Sequence, residues 1–203
     1  MNRNPNVYWL ILLLSWAACR ESGKELSTLP AVTEGGINAV IEIPAGTNHK
    51  IEYDYSTRRF AVDQEAGKDR VINFLPYPAN YGFIPSTLMD EARGGDGDAL
   101  DVIVIAESLK TGTNIKVQPI AALLLEDAGE LDTKIIAVPV DSVKNTIQVK
   151  TFSDFTVRYN AAQQILQQWF LNYKGPGQMQ LIGWRNERYA MAEIEKWRVE
   201  QPR

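Results

Sequence analysis

The residues best suited to chemistry form a short acidic segment, DGDALD (96–101), which runs directly into the apolar pattern VIVIA. Three carboxylates within six residues repel one another unless a cation lies between them. Gly95 and Gly97 allow a tight turn, and side chains two apart on an extended backbone share a face. Because oxygen-only ligands favour hard divalent cations, the segment predicts a Mg²⁺ site. A solvated acidic turn is the alternative interpretation.

Two further clusters combine acids with bases. The segment DAGELDTK (127–134) also enters an apolar strand pattern and could supply more metal ligands beside Lys134, although a plain hairpin loop is the alternative. Lys50 and Glu52 lie two apart in a strand pattern and share a face, where an exposed ion pair is the alternative. Further acids, bases and phenols that could join them are Glu42, Arg70, Tyr77, Tyr81, Tyr173 and Lys174. Metal-binding carboxylates beside phosphate-binding cations are what phosphoryl chemistry requires.

The elements that must position these residues are mostly short strands. Segments with alternating or β-branched patterns are INAVIEIP (37–44), KIEYDY (50–55), RFAV (59–62), DVIVIA (101–106), NIKVQPIAALLL (114–125) and TKIIAVPV (133–140). Pro119 and Pro139 indicate edges or bulges, and the proline-rich segment 71–85 predicts a rigid extended connection. Helical spacing predicts one helix over 160–173 and another from near Asn186 through Trp197. We therefore predict an α+β fold, with a small closed, OB-like β-barrel and two C-terminal helices packed outside.

The N-terminus carries an export pattern. Arg3 precedes an apolar run of twelve residues (7–18), which is too short to span a bilayer but suits a signal peptide. The run ends in small residues before Cys19, the only cysteine of the chain, as in the lipobox of bacterial lipoproteins. Trp16 departs from that pattern. We expect a lipoprotein signal peptide over 1–18, a lipidated Cys19 with a flexible tether through residue 36, and a catalytic domain over 37–203.

Composition limits the function classes. The chain has 203 residues, of which 45% are apolar and 23% charged, and this suits one globular domain. The formal net charge of −4 argues against a general nucleic-acid binder, which needs a basic face. A small anionic substrate stays possible, because a few basic residues can gather in one pocket.

The ordered set of motifs resembles the family I, or soluble, inorganic pyrophosphatases. The matching pieces, in chain order, are IEIP, KIE, DR, YPANYGFI, DGDALDV, DAGELDTKIIAVP and NYK. They span roughly residues 38–185. The DGDALDV segment departs from the family signature only at Ala99, where proline is usual. No position of the family's functional set is missing.

The resemblance implies a role for each matching residue. Six acids would bind metal ions: Asp96, Asp101, Asp127, Asp132, Glu42 and Glu52. Among them Asp101 would bridge the tighter pair of metals. Five residues would bind phosphate oxygens: Lys50, Arg70, Lys134, Tyr173 and Lys174. Asp98 would accept a proton from the attacking water, and Tyr81 would hydrogen-bond near the nucleophile and the electrophilic phosphate, also as a substrate contact.

The implied reaction is hydrolysis of pyrophosphate to two phosphates by a metal-activated water, without a covalent intermediate and with three to four Mg²⁺ per site. A homo-oligomer, a hexamer by resemblance, is expected, with membrane contact only through the lipid anchor. Two alternatives stay open: a hydrolase of nucleoside triphosphates or short polyphosphates, and a non-catalytic tethered barrel that binds anions or proteins. The expected location is the cell envelope, facing the periplasm or the outer face; the alternative is the cytoplasm, if residues 1–36 are not a working signal.

Overall fold

The computed structural model describes residues 25–199. The strands in this range are β1 (Val32–Thr33), β2 (Gly36–Ile43), β3 (Ile51–Asp54), β4 (Arg59–Val62), β5 (Gln64–Glu65), β6 (Lys68–Asp69), β7 (Asn80–Phe83), β8 (Asp101–Val104), β9 (Asn114–Asp127), β10 (Glu130–Pro139) and β11 (Met179–Asn186). The α-helices are α1 (Phe152–Arg158), α2 (Asn160–Asn172) and α3 (Glu187–Trp197), and a 3₁₀ helix covers Glu91–Arg93.

Five strands pair in a closed ring. β2 pairs with β7, β7 with β8, β8 with β10, β10 with β9, and β9 returns to β2. Only β8 and β10 run parallel within this ring. β1 extends the sheet beside β2, and β11 extends it beside β9, whereas β3 and β4 form a separate two-stranded sheet. The predicted α+β class is confirmed, and the predicted closed sheet corresponds to this ring.

Both faces of the ring strands are buried, which explains their nearly continuous apolar sequences. Along β10, Ile135 belongs to a core cluster beneath α3 that contains Trp197. Its neighbour Ile136 faces the other way, into a cluster with Phe155 of α1 and Trp169 of α2. Alternate side chains of one strand therefore fasten helices on opposite faces of the sheet.

A buried asparagine at the start of β7 holds the proline-rich connection in place. Asn80 is 0% exposed. Its side-chain oxygen accepts hydrogen bonds from the backbone of Ala45 (3.1 Å) and Leu109 (2.7 Å). Its amide nitrogen donates to the carbonyls of Val104 (3.2 Å) and Glu107 (3.0 Å). The segment 71–85, predicted as an extended connection, is thus anchored at Asn80, whose side chain is fully hydrogen-bonded.

The helices differ from the prediction in number. α2 and α3 match the predicted pair, and Asn186 caps α3 by accepting a hydrogen bond from the Tyr189 backbone. The predicted pair of C-terminal helices is confirmed, and one further short helix, α1, precedes it. Its seven residues are too few to display a helical period, and Thr151 caps it. β11 also went unpredicted, because Leu181 and its neighbour are exposed on an outer strand and a bulge interrupts the pairing.

Residues 25–36, which the sequence analysis assigned to a tether, pack against the ring. Leu26 and Ala31 are each only 1% exposed, and Val32 begins β1. The segment pairs as a strand because its apolar residues find buried sites on the ring. The predicted signal peptide and Cys19 lie outside the described residues. Within 25–199, no helix is long and apolar enough to cross a membrane.

Candidate active site

A cavity of ≈ 430 Å³ is lined by side chains of the ring strands, the β3–β4 hairpin, the acidic loop 96–101 and α2. Every catalytic, metal-binding and substrate-binding residue predicted from the sequence lines it, although these residues come from distant parts of the chain. They are Glu42, Lys50, Glu52, Arg70, Tyr81, Asp96, Asp98, Asp101, Asp127, Asp132, Lys134, Tyr173 and Lys174. The fold therefore brings the whole predicted set together in one place.

A β-bulge presents Glu42 to the cavity. The pairing between β2 and β7 shifts after Ile41, so that Glu42 has no direct partner on β7. Such a bulge re-aims a side chain. Glu42 accepts a hydrogen bond from the Tyr53 backbone N–H at 2.8 Å. Burial, together with the charges of Asp101 and Glu52, raises the pKa of Glu42 to about 8.

Lys134 lies at the centre of the acid cluster. β8 and β10 run parallel in a register that sets Lys134 beside Asp101. The Lys134 ammonium contacts Asp101, lies 2.6 Å from Asp132, and donates to the Tyr81 hydroxyl at 3.4 Å. Although burial alone would lower the pKa of Lys134, the charges of Asp101 and Asp132 raise it well above its usual range. The lysine is 5% exposed and stays charged because two carboxylates surround it.

A tight turn places Asp127 of β9 and Glu130 of β10 on the same face as Lys134. Ala128 and Gly129 connect the two strands, and both have positive φ angles, 52° and 91°. Two-residue turns of this kind match the twist of the strands. Asp127 and Glu130 are then direct cross-strand partners. Asp127 forms an ion pair with Lys174, which follows α2.

Buried backbone anchors hold the loop DGDALD (96–101). Leu100 is fully buried, and its N–H donates to the Thr87 hydroxyl at 2.9 Å. The Asp98 carbonyl accepts from the Met89 N–H at 2.7 Å. A Cβ at Gly95 would lie 2.3 Å from the Met89 backbone, so this position requires glycine. The side chains of Asp96 and Asp98 are exposed at the cavity, on a backbone that the core holds in place.

Two basic residues of the cavity, Lys50 and Arg70, are held by an acid that the sequence did not mark as a site residue. Asp63 lies 3.0 Å from the Arg70 guanidinium and 3.9 Å from the Lys50 ammonium. The backbone N–H of Lys50 also donates to the Arg70 carbonyl at 3.0 Å. Lys50 forms a second ion pair with Glu52. Asp63 thus aligns two cations without lining the cavity itself, and no motif in the sequence marks it.

A wall of aromatic rings faces the basic residues. Trp169 packs against Tyr77 (ring centroids 4.5 Å apart) and stacks on Tyr173 (4.7 Å, interplanar angle 7°). Tyr77 also contacts Tyr81 edge-on at 5.5 Å. Burial raises the pKa of Tyr173 to about 12, so its phenol is protonated at neutral pH and available as a hydrogen-bond donor. Tyr53, Tyr55 and Glu130 also line the cavity and were not predicted.

The donor set fits divalent cations. The residues lining the cavity include eight carboxyl groups and four basic side chains; with Glu42 protonated at neutral pH, seven carboxylates and four cations leave a formal excess of three negative charges. An anionic substrate could not approach such a surface unless further cations joined it. Among residues 25–199 no three acids converge tightly enough to hold a metal ion as they stand, because the lysine ammonium groups lie between them. All the acids supply oxygen ligands, the type that Mg²⁺ prefers.

Comparison with known proteins identifies the family. The family model described as inorganic pyrophosphatase matches residues 39–201. An inorganic pyrophosphatase of Mesorhizobium japonicum is 37% identical over 166 residues, covering 78% of this chain and 85% of that protein. An inorganic pyrophosphatase of Synechocystis is 33% identical over 178 residues, covering 85% of this chain and 96% of that protein.

Solved structures agree. The crystal structure of an inorganic pyrophosphatase from Neisseria gonorrhoeae superposes with a TM-score of 0.69 at 33% identity, covering 84% of this chain and 94% of the other. The structure of the inorganic pyrophosphatase from Thermus thermophilus gives a TM-score of 0.71 at 29% identity, with the same coverage. With the motifs in order, the acids and bases gathered in one cavity and these matches, the chain belongs to the family I inorganic pyrophosphatases.

Proposed function

We propose that the cavity hydrolyses inorganic pyrophosphate to two phosphates, by direct attack of water and with Mg²⁺ as the cofactor. Membership of the pyrophosphatase family makes the chain an enzyme of this class. The single observation that carries the proposal is the arrangement of the cavity, in which a surplus of carboxylates faces four cations and several protonated phenols. Such a site suits a small, highly charged anion that arrives with divalent cations.

Six acids would hold the metal ions: Asp96, Asp101, Asp127, Asp132, Glu42 and Glu52. When bound, the metals would neutralise the phosphate charge and lower the pKa of a coordinated water. Asp101 is the natural centre of this set, because its register on β8 places it beside β10 and across from β7. The lysines that now pair with Asp101 and Asp127 are long and flexible, so they can turn from these acids towards substrate oxygens.

Asp98 is our proposed proton acceptor. Its backbone is held by the Met89 N–H, while its side chain is exposed in the cavity near the metal-binding acids. An exposed carboxylate can take the proton of an attacking water and release it to solvent. Tyr81 also lines the cavity. Burial raises the pKa of its phenol far above neutrality, so the phenol stays protonated. Its hydroxyl can therefore donate a hydrogen bond to the reacting phosphate or the nucleophile.

The basic residues would bind and orient the two phosphates. Lys50 and Arg70 form one pair of cations, aligned by Asp63, and Lys134 and Lys174 form ion pairs with the acids Asp101, Asp132 and Asp127. Guanidinium and ammonium groups bind phosphate oxygens by charge-assisted hydrogen bonds. Spreading them around the cavity stabilises charge on both the attacked and the leaving phosphate, which is the main requirement of phosphoryl transfer.

The direct test is phosphate release from pyrophosphate by the full-length protein, with Mg²⁺ or with EDTA, beside the variant Asp98→Asn. We expect release that requires Mg²⁺ and that falls by about 10²–10⁴-fold in the variant, since general base catalysis contributes about that much. Adenosine triphosphate and tripolyphosphate in the same assay separate pyrophosphatase activity from a broader phosphatase. A folded protein without Mg²⁺-dependent release would contradict the proposal and favour an anion-binding role.

We further propose that the enzyme is a homo-oligomer, a hexamer by family resemblance. Exposed apolar side chains support a surface for self-association: Val157 on α1, Ile165 on α2, and Leu181 and Ile182 on β11. Analytical ultracentrifugation of the purified wild type and of Ile165→Glu measures the oligomeric state, and the variant should be less associated. A monomeric wild-type protein would contradict it.

We also propose that Cys19 is lipidated and that the enzyme acts at the cell envelope. The support is the apolar run 7–18 and the small residues before the cysteine. Palmitate labelling and fractionation of the wild type beside Cys19→Ser test it. Label on the membrane fraction of the wild type alone is expected, whereas an unlabelled protein in the cytoplasmic fraction would contradict it.

A further inference from the structure

The hairpin of β3 and β4 carries part of the site, but its strands do not pair with the strands of the ring. Lys50 precedes β3, Glu52 lies within it, and Tyr55 follows it, and all three line the cavity. A separate two-stranded sheet is only marginally stable without other support. Contacts from outside the hairpin must therefore hold Lys50, Glu52 and Tyr55 in position.

The N-terminal clasp, defined here as residues 25–29, supplies that support on the side of the hairpin. The Leu26 N–H donates to the Tyr53 hydroxyl at 3.4 Å, and the Ser27 side chain also hydrogen-bonds that hydroxyl. Leu26 is 1% exposed and packs with Tyr53 and Phe83 in one apolar cluster. At the tip of the hairpin, Arg58 forms an ion pair with Glu25 at 2.6 Å.

The same clasp is fastened to the ring on its other side. The Ser86 N–H, just after β7, donates to the Ser27 carbonyl at 2.9 Å. The Ser86 hydroxyl donates to the Leu29 carbonyl at 2.7 Å. Ser86 is buried, so these two bonds are shielded from water. The clasp therefore connects the hairpin to the segment that follows β7.

Tyr53 connects the clasp to the cavity. Its hydroxyl meets the clasp, its ring packs against Phe83 (5.7 Å) and Phe60 (5.1 Å), and its backbone N–H donates to Glu42 at 2.8 Å. Because Glu52 is its direct neighbour on β3, a shift of Tyr53 would move both Glu42 and Glu52.

We propose that the N-terminal clasp positions the β3–β4 hairpin for catalysis, with Tyr53 as the positioning residue. This inference rests on the proposed hydrolysis of pyrophosphate. In this role the Tyr53 hydroxyl contacts the clasp, where it accepts a hydrogen bond from the Leu26 N–H. It acts by fixing the hairpin, and thereby Lys50 and Glu52, against the rest of the cavity. Loss of the contact should weaken substrate binding more than it slows the chemical step.

The test compares full-length wild type with Tyr53→Phe, which keeps the ring and removes only the hydroxyl. We expect KM for pyrophosphate to rise about fivefold, as suits the loss of the hydrogen bonds between that hydroxyl and the clasp, with kcat within about twofold of the wild type. Hydrogen exchange of the metal-free protein, followed on peptides covering residues 50–63, should be faster in the variant. This second measurement does not depend on activity.

Tyr189→Phe is the matched control. That hydroxyl bonds Glu193 on α3, away from the cavity, so its loss should lower stability without changing KM or exchange in 50–63. Ser27→Ala removes one of the two hydrogen bonds to the Tyr53 hydroxyl and should reproduce part of the KM effect, and the double variant with Tyr53→Phe should add little, because Tyr53→Phe already breaks that contact.

Three outcomes overturn the inference: an unchanged KM in Tyr53→Phe, an equal KM change in Tyr189→Phe, or fully additive effects in the double variant. A wild-type protein that releases no phosphate would instead contradict the proposed function, so the two failures can be told apart. Hydrogen exchange still reports on the clasp in that case: unchanged exchange in 50–63 refutes it.

Discussion

Replacing Lys134 by methionine tests whether the acid cluster depends on a built-in cation. Methionine keeps much of the side-chain volume but leaves Asp101 and Asp132 facing each other without the ammonium. Breaking a fully buried ion pair costs about 3–5 kcal/mol. The two acid side chains remain 24% and 16% exposed, so water and protonation relieve part of that cost. We expect the metal-free variant to lose about 2–3 kcal/mol of unfolding free energy.

Thermal unfolding in EDTA measures this loss. For a domain of this size, 1 kcal/mol corresponds to about 2–4 °C, so the Tm should fall by about 4–12 °C. Added Mg²⁺ should raise the Tm of the variant more than that of the wild type, because a divalent cation can replace the missing ammonium. Activity should fall as well, since the same lysine is proposed to bind a phosphate oxygen.

Lys174→Met is the matched control. It makes the same chemical change, but the pair of Lys174 with Asp127 is about one-third exposed on both sides. Exposed ion pairs contribute about 0–1 kcal/mol, so the metal-free Tm should hardly change. A change below about 0.5 kcal/mol in the unfolding free energy of Lys134→Met in EDTA, the usual range for surface substitutions, or an equal loss in both variants, would refute this prediction.

Three further predictions concern residues that support the site. Asp63→Ala releases Arg70 and Lys50, so steady-state kinetics should show KM for pyrophosphate raised about fivefold with kcat nearly unchanged; a fall in kcat alone would contradict this. Asn80→Leu removes the side-chain partner of four backbone groups, one of them in a buried and three in a part-buried hydrogen bond, and should lower the free energy of unfolding in urea by about 3–5 kcal/mol; a loss below 1 kcal/mol would refute it. Gly82→Ala places a Cβ 1.9 Å from the Val40 carbonyl oxygen, so the free energy of unfolding, measured by circular dichroism, should fall by about 2 kcal/mol or more. An unchanged free energy of unfolding would mean that β2 and β7 separate easily.

The strands and most of the site could be predicted, because their residues carry local signals. The acidic loop 96–101 and the turn 127–134 show their chemistry in a few consecutive letters, and each leads into an apolar strand. In the structure both reach one cavity, together with Lys50 and Arg70. Ordered motifs were needed to connect them, since residue spacing alone does not say which loops meet.

The missed features depend on tertiary context. The bulge at Glu42 arises from pairing with β7, and Asp63 gains its role only when β4 brings it beside Arg70. The clasp was predicted as a tether because its residues are polar and aperiodic in sequence. Leu26 and Ser27 become buried only because the hairpin and the end of β7 leave a matching surface. A local sequence pattern does not show which distant residues will pack against it.

If Cys19 is lipidated as proposed, the position of the clasp also limits how far the start of the folded domain can lie from the membrane. Only six Cα-to-Cα steps separate Cys19 from Glu25, and a fully extended chain of that length spans at most about 20 Å. If Cys19 is lipidated as proposed, Glu25 must stay within about that distance of the anchor. At an ionic strength of 0.01 M, charges act over about 30 Å, which exceeds this reach. Anionic headgroups would then deplete pyrophosphate near the enzyme in dilute media, and added salt would restore its supply.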